Sequence, residues 1–132
     1  MKISKKTQYG LRGLFRLAES DGHRPMKEVA EREGISPDFL EKIFSELEKA
    51  NIINSKRGPT GGYALAKDPR EINLKMIMEV LETNLTLVEC IDSSCHRIED
   101  CPVASVWSAL DKEIKEKLEM ITLKSLIDKN DE

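Results

Sequence analysis

The sequence predicts a mainly α-helical chain with one small β-hairpin, extended by a long C-terminal helix. Three observations predict it. Apolar residues recur at helical spacing in several separate stretches. Two short helical stretches meet at Gly34, with small and apolar residues placed to lock them at an angle. Two strand-like runs, Ile52–Lys56 and Gly62–Ala66, flank a Gly/Pro turn. With 132 residues, 39% hydrophobic and 34% charged, the chain suits one domain, or a small domain with a helical arm. Aromatics at 5% argue against an aromatic-rich sandwich or a base-stacking single-strand binder.

The elements follow in order. From Gln8 to Glu19, Leu11, Leu14, Phe15 and Ala18 stand at i, i+3, i+4 and i+7, one apolar helical face with Lys5, Lys6, Arg12 and Arg16 away from it. A short helix is expected from about Met26 to Glu33, with Val29 and Ala30 inward. Gly34 permits the positive φ of a tight turn. Ser36 is placed to cap the next helix, Pro37 suits its first position, and Asp38 complements its positive end. Phe39, Leu40, Ile43, Phe44 and Leu47 form its inward stripe up to about Ala50. After the hairpin comes a helix from about Leu74 to Glu82, carrying Ile77, Met78 and Leu81.

The stretch from roughly Leu85 to Asp100 has no steady period and reads as a loop. A long helix is expected from Pro102 to about Met120. Val103, Trp107, Leu110, Ile114 and Ile121 lie close to a heptad seam, and so short a chain leaves that seam little domain of its own to cover. Self-association through this seam is the expectation, and an ordinary helix packed on its own domain is the alternative. The expected division is 1–83 for a winged helix-turn-helix, 84–101 for a cysteine-containing loop, and 102–132 for a dimerisation helix and C-terminal segment.

Charge points to a polyanion partner for the first half. Residues 1–70 hold 14 Lys+Arg against 10 Asp+Glu, a net +4, while residues 71–132 hold 7 against 14, a net −7. A helix-turn-helix followed directly by a hairpin has the layout of a winged helix, whose second helix enters the major groove of DNA. Ser36, Pro37, Asp38, Glu41, Lys42 and Ser45 are its outward positions. A carboxylate there can accept from cytosine N4, so Glu41 is a candidate base reader; a solvated helix face is the competing role. The wing tip Lys56-Arg57-Gly58-Pro59-Thr60-Gly61-Gly62 carries two cations on a turn, suited to a narrow minor groove. The candidate DNA contacts are Lys5, Lys6, Ser36, Pro37, Phe39, Glu41, Lys42, Arg57, Gly58, Thr60 and Gly61. No Gly-Lys-Ser/Thr follows the glycine turn, which argues against a nucleotide loop. No nucleophile–base spacing or cofactor motif supports an enzyme.

Cys90, Cys95 and Cys101 are the only cysteines, all within twelve residues of the acidic half. Their odd number argues against a structural disulfide framework. C-x4-C-x5-C is not a zinc-finger pattern, yet three thiolates on one loop can surround a soft metal site or cluster. The longest run free of charge, Cys101 to Leu110, is too short to span a membrane, and no signal peptide is visible at the N-terminus. A cytoplasmic protein is therefore expected.

Four segments together resemble one family. These are Met1-Lys2-Ile3-Ser4-Lys5-Lys6-Thr7-Gln8-Tyr9-Gly10-Leu11, Gly34-Ile35-Ser36-x-x-x-Leu40-Glu41, Arg57-Gly58-Pro59-x-Gly61-Gly62-Tyr63, and the three-cysteine loop. The chain is similar to the IscR/NsrR-type regulators, bacterial winged-helix transcription factors of the Rrf-two superfamily. The resemblance runs through Ile121-Thr122-Leu123. It implies a homodimer that binds a palindromic promoter in double-stranded DNA and senses through an iron–sulfur cluster, 2Fe–2S or 4Fe–4S. By position, Glu41 matches a base-reading glutamate, Arg57 the wing arginine, and Cys90, Cys95 and Cys101 the cluster cysteines. Two departures stand out. The first cysteine spacing is one residue shorter than in IscR proteins, and Ala104 replaces their histidine ligand. The position of the carboxylate ligand in the nitric-oxide sensors is Gln8 here. His96 or the partner subunit's Gln8 are the candidates for a fourth ligand. A metal-free thiol switch and an iron–sulfur carrier are the other readings.

Overall fold

In the computed structural model, which describes residues 2–87 and 101–131, Ser4 opens the first helix by accepting a hydrogen bond from the Thr7 N–H at 3.2 Å. This helix, α1 (Lys5–Ala18), buries Thr7, Gly10, Gly13, Leu14 and Leu17. The apolar face expected from Leu11, Leu14, Phe15 and Ala18 is thus rotated: Leu11, Phe15 and Ala18 are only half-buried. The reason is close helix packing. A Cβ added at Gly10 would stand 2.6 Å from Leu81 Cδ1, and one at Gly13 would stand 2.8 Å from Phe44 Cε1. The buried face carries Gly10 and Gly13 beside Leu14 and Leu17, and the missing side chains let neighbouring helices come close.

Helices α2 (Met26–Glu33) and α3 (Pro37–Lys49) meet through Gly34, at φ 65° and ψ 35°. The Ile35 N–H donates to the Ala30 carbonyl at 2.9 Å, closing the helix end as a Schellman turn. Pro37 takes the first helical position as expected. Ser36 precedes it, but its side chain makes no capping hydrogen bond. Leu40, Ile43, Phe44 and Leu47 are buried, and α3 ends by the same device, with Asn51 at φ 61° and Ile52 N–H on Leu47 O at 3.0 Å.

The hairpin pairs β1 (Ile53–Lys56) antiparallel with β2 (Gly62–Leu65), from Ile53 opposite Leu65 to Lys56 opposite Gly62. Arg24 adds a third edge, exchanging backbone hydrogen bonds of 2.8 and 2.7 Å with Tyr63. A 3₁₀ turn, Pro69–Glu71, leads to α4 (Leu74–Leu81), which the Asn73 side chain caps at 2.9 Å from Met76 N. The Arg70 guanidinium and backbone N–H hold the Asp68 carboxyl at about 2.

Beyond the cysteine region run α5 (Ala104–Met120) and α6 (Leu123–Asn130). The second of these was not foreseen. Thr122 and Ser125 cap it reciprocally, Leu123 enters the core, and its N–H donates to Ile72 O at 2.9 Å. The core joins Leu14, Val29, Leu40, Phe44, Ile53, Ile77 and Leu123, so α6 completes the winged body by lying against α1. Ile121, expected as the end of the seam, instead closes α5, and its carbonyl accepts from Leu74 N at 2.7 Å.

Helix α5 leans on α4, helped by Lys75–Glu119 at 2.9 Å. Asp111 is buried against the body, whereas Leu110 is 41% exposed, as one residue turns the helix by about 100°. Val103, Val106, Trp107 and Leu110 form an apolar stripe turned to solvent, with Ile114 half-buried beside it. Among the described residues, no helix is long and apolar enough to cross a membrane.

Candidate nucleic-acid interface

The inward stripe of α3 fixes which of its residues face out. Ser36, Pro37, Asp38, Glu41 and Lys42 are exposed, and Ser45 is half-buried. Among the described residues no hydrogen bond joins Glu41 to Ser45, so the Glu41 carboxylate points into solvent unengaged. Phe39 is half-buried and packs edge-on against Tyr9, ring centroids 5.7 Å apart. It braces α3 on α1 at the floor of a shallow groove that Lys6, Asp38, Glu41 and Lys42 also line.

At the wing, Lys56, Arg57, Gly58 and Thr60 are exposed, and Gly61 is half-buried. Gly58 sits at φ 108° and its carbonyl accepts from Gly61 N at 3.0 Å. A side chain at Gly61 would run into the Lys56 carbonyl. The turn is therefore built by its glycines, leaving Arg57 at the tip with no ion pair among the described residues.

The other candidate cations differ in their availability. Lys5 lies 5.9 Å from the Tyr9 ring centroid and is exposed. Lys6 is paired with Glu46 of α3 at 2.7 Å. Arg12 and Arg16 both grip Glu33, at 3.1 and 2.9 Å, and Arg12 also reaches the Glu33 carbonyl. Burial opposes ionisation of Glu33, but the hydrogen bonds and charges of Arg16 and Arg12 outweigh it and hold its carboxyl below the usual value. These two arginines bind α2 to α1.

Of the candidate cluster ligands, Cys101 lies half-buried just ahead of α5, its carbonyl accepting from Ala104 N at 3.4 Å. Cys90, Cys95 and His96 lie outside the described residues. Gln8 is exposed, and its amide donates to Ile3 O at 3.1 Å. Two carboxylates absent from the sequence reading frame the chain that leads toward Cys90. Glu82 accepts from Ser4 N–H at 2.8 Å and from Ser4 O–H at 2.9 Å. Burial works against its charge, but hydrogen bonds from Thr7 and Ser4, with the charge of Lys6, keep its carboxyl below the usual range. The buried Asp111 accepts from Leu87 N–H at 3.2 Å and pairs with Lys115 at 2.9 Å. Val106 was also missed, although it stands in phase three residues after Val103.

Helix-turn-helix, wing and flanking helices find their counterparts in known proteins. A profile of the family described as Rrf2: Iron-dependent Transcriptional regulator matches residues 3–129. The chain belongs to the Rrf2 family. The HTH-type transcriptional regulator IscR of Pectobacterium atrosepticum is 32% identical over 130 residues, covering 96% of this chain and 79% of that relative. Among solved structures, CymR, the global cysteine regulator of B. subtilis, superposes on this Rrf2 protein with a TM-score of 0.81 at 33% identity, covering 96% of this chain and 95% of that one. IscR of T. potens does so with a TM-score of 0.78 at 35% identity, covering 98% and 88%. Fold and relatives are those of transcriptional regulators and not of enzymes, and DNA binding comes with the family.

Proposed function

We propose that this Rrf2 protein is a bacterial, cytoplasmic homodimer that reads a palindromic promoter and is switched by what Cys90, Cys95 and Cys101 hold. The observation that carries the DNA part is the outward half of α3. Ser36, Pro37, Asp38, Glu41 and Lys42 are exposed on a helix whose opposite side buries Leu40, Ile43, Phe44 and Leu47, so the face is presented rigidly. Residues 1–83 supply the reading unit, with Glu41 addressing a base edge and Lys42 the backbone. Arg57, Gly58, Thr60 and Gly61 lay the wing tip along an adjacent groove. The stripe Val103, Val106, Trp107 and Leu110 supports pairing of two copies through α5.

The donor set favours an iron–sulfur cluster as the sensing group. Thiolates suit iron and sulfide chemistry, and Cys101 is half-buried beside a helix start, shielded yet reachable. When bound, such a cluster supplies redox and ligand-exchange chemistry at iron. Residues 84–101 would carry it between the reading unit and α5, with His96 or the partner subunit's Gln8 at the remaining position. A metal-free thiol switch is the second reading. It is favoured by a likeness to the cysteine regulator CymR as good as that to IscR.

The test is a set of binding isotherms on operator variants. Arg57→Ala is expected to weaken binding most where the flanks are A·T-rich. Glu41→Ala is expected to relax preference at one base position, by about 1–3 kcal/mol. An equal loss across all variants for Glu41→Ala would overturn its reading role.

A further inference from the structure

The first turn of α1 is held by two carboxylates from elsewhere in the chain. Glu46 of α3 meets the Lys6 ammonium at 2.7 Å, with both side chains partly exposed. Glu82, at the end of α4, takes both the N–H and the O–H of Ser4, the residue that caps this same turn. Lys6 thus stands between the recognition helix and the stretch of chain that runs on toward Cys90. Each acid is bonded across the fold, over a sequence separation of 40 residues for Glu46 and 78 for Glu82.

We propose that Glu46 competes with DNA phosphate for Lys6, and that Glu82 sets the strength of this competition by fixing the turn that carries Lys6. Lys6 is then a DNA contact under restraint, and its release is a control on affinity. This inference rests on the reading that the start of α1 and the outward face of α3 meet the DNA together.

The physical reason lies in ion accounting. A free lysine that neutralises a phosphate releases a condensed cation, which makes binding steeper in salt by about 0.9 per contact. While its ammonium stays on Glu46, Lys6 neutralises no phosphate and displaces no condensed cation, so it adds little to the salt dependence. Removing the Glu46 charge restores the full contribution of Lys6. Loosening the Ser4–Glu82 clasp moves the turn and lengthens the Lys6–Glu46 pair, with the same result in smaller measure.

The experiment measures binding of the full-length protein, purified anaerobically, to a random-sequence DNA duplex over a range of salt concentrations. Glu46→Gln is expected to steepen the log–log salt dependence by about 0.9, equivalent to about eightfold tighter binding for each tenfold drop in salt. In a Lys6→Gln background the same substitution is expected to produce no steepening, since the gain passes through Lys6. Glu82→Ala is expected to steepen the dependence part-way and to add nothing to Glu46→Gln. Ser4→Ala, which removes one of the two bonds to Glu82 together with the Ser4 cap on the Thr7 N–H, replaces it if circular dichroism shows Glu82→Ala to be unfolded.

Equal steepening by Glu46→Gln with and without Lys6 would overturn the competition, leaving general charge repulsion as its cause. No steepening by either Glu82→Ala or Ser4→Ala would overturn the part given to Glu82. Arg57→Ala separates this inference from the reading beneath it. If Arg57→Ala flattens the salt dependence while the Lys6–Glu46 cycle is null, the competition alone fails. If neither responds, the DNA-facing assignment itself is wrong.

Discussion

Replacing Leu110 by alanine is expected to weaken self-association without unfolding the protein. In the single chain Leu110 is 41% exposed, on a stripe with Val103 at 45%, Val106 at 50% and Trp107 at 36%. Fully burying a leucine returns about 1.5–3 kcal/mol, so covering its remaining two-fifths returns about 0.6–1.2 kcal/mol per copy. A two-fold contact uses each residue twice, giving about 1.2–2.4 kcal/mol per dimer. That corresponds to a dimer Kd raised about 7- to 50-fold. Sedimentation equilibrium over a wide concentration range measures it, and circular dichroism confirms that the variant is folded. Trp107→Ala should weaken the dimer at least as much, since an aromatic contributes the larger buried surface. A Kd within twofold of the unaltered chain, or an unaltered chain that is monomeric at micromolar concentration, would refute the assignment of this stripe to a second copy.

Two further outcomes concern the body of the fold. Gly13→Ala should lower stability by about 1 kcal/mol, since overpacking against the buried Phe44 ring costs about 1–3 kcal/mol and helix propensity returns only part of it; a raised melting temperature would contradict the close α1–α3 approach. Glu33→Gln should cost about 1–3 kcal/mol near neutral pH by releasing Arg12 and Arg16. The folded-state carboxyl of Glu33 lies below its ordinary 4.5, so its stabilisation is complete above that value and is lost as pH falls through the lowered one. Urea titrations at stepped pH should therefore show a flatter acid limb for the variant below about pH 5.

Elements whose local sequence matches their final environment are legible in the sequence alone. Gly34 adopts the left-handed turn that its position requires, Pro37 takes the first turn of α3, and four of the five residues of the expected α3 stripe are buried, Phe39 being half-buried. The register of α1 was not legible, because the pattern counts side chains while the packing uses their absence at Gly10 and Gly13. Tertiary pairing was equally silent: nothing local announces that Arg24 will bridge Tyr63. Helix α6 did carry a signal, the Thr122-x-x-Ser125 box that encloses Leu123, but its apolar face is narrow and follows directly on the long helix.

The candidate site divides along the same line. Exposed positions on α3 and the wing follow from burial of their neighbours, so Glu41, Lys42 and Arg57 could be named from the sequence. The Lys6–Glu46 pair and the Glu82–Ser4 clasp join residues far apart in the chain, and the periodicity of neither partner encodes them. Asp111 was hidden for a different reason. It opens the charged half of α5 and reads as a solvated position, whereas it is buried and holds the Leu87 N–H.

The most direct test of the account compares one operator duplex against two states of the same anaerobically purified protein. One sample keeps whatever its cysteines hold, with iron and sulfide counted, and the other is stripped by chelation under reducing conditions. The account predicts iron and sulfide in the first sample, their loss in single Ser variants of Cys90, Cys95 and Cys101, and at least a tenfold difference in operator affinity between loaded and stripped protein. Equal affinity in the two states, or a full complement of iron in any of the three cysteine variants, would contradict it.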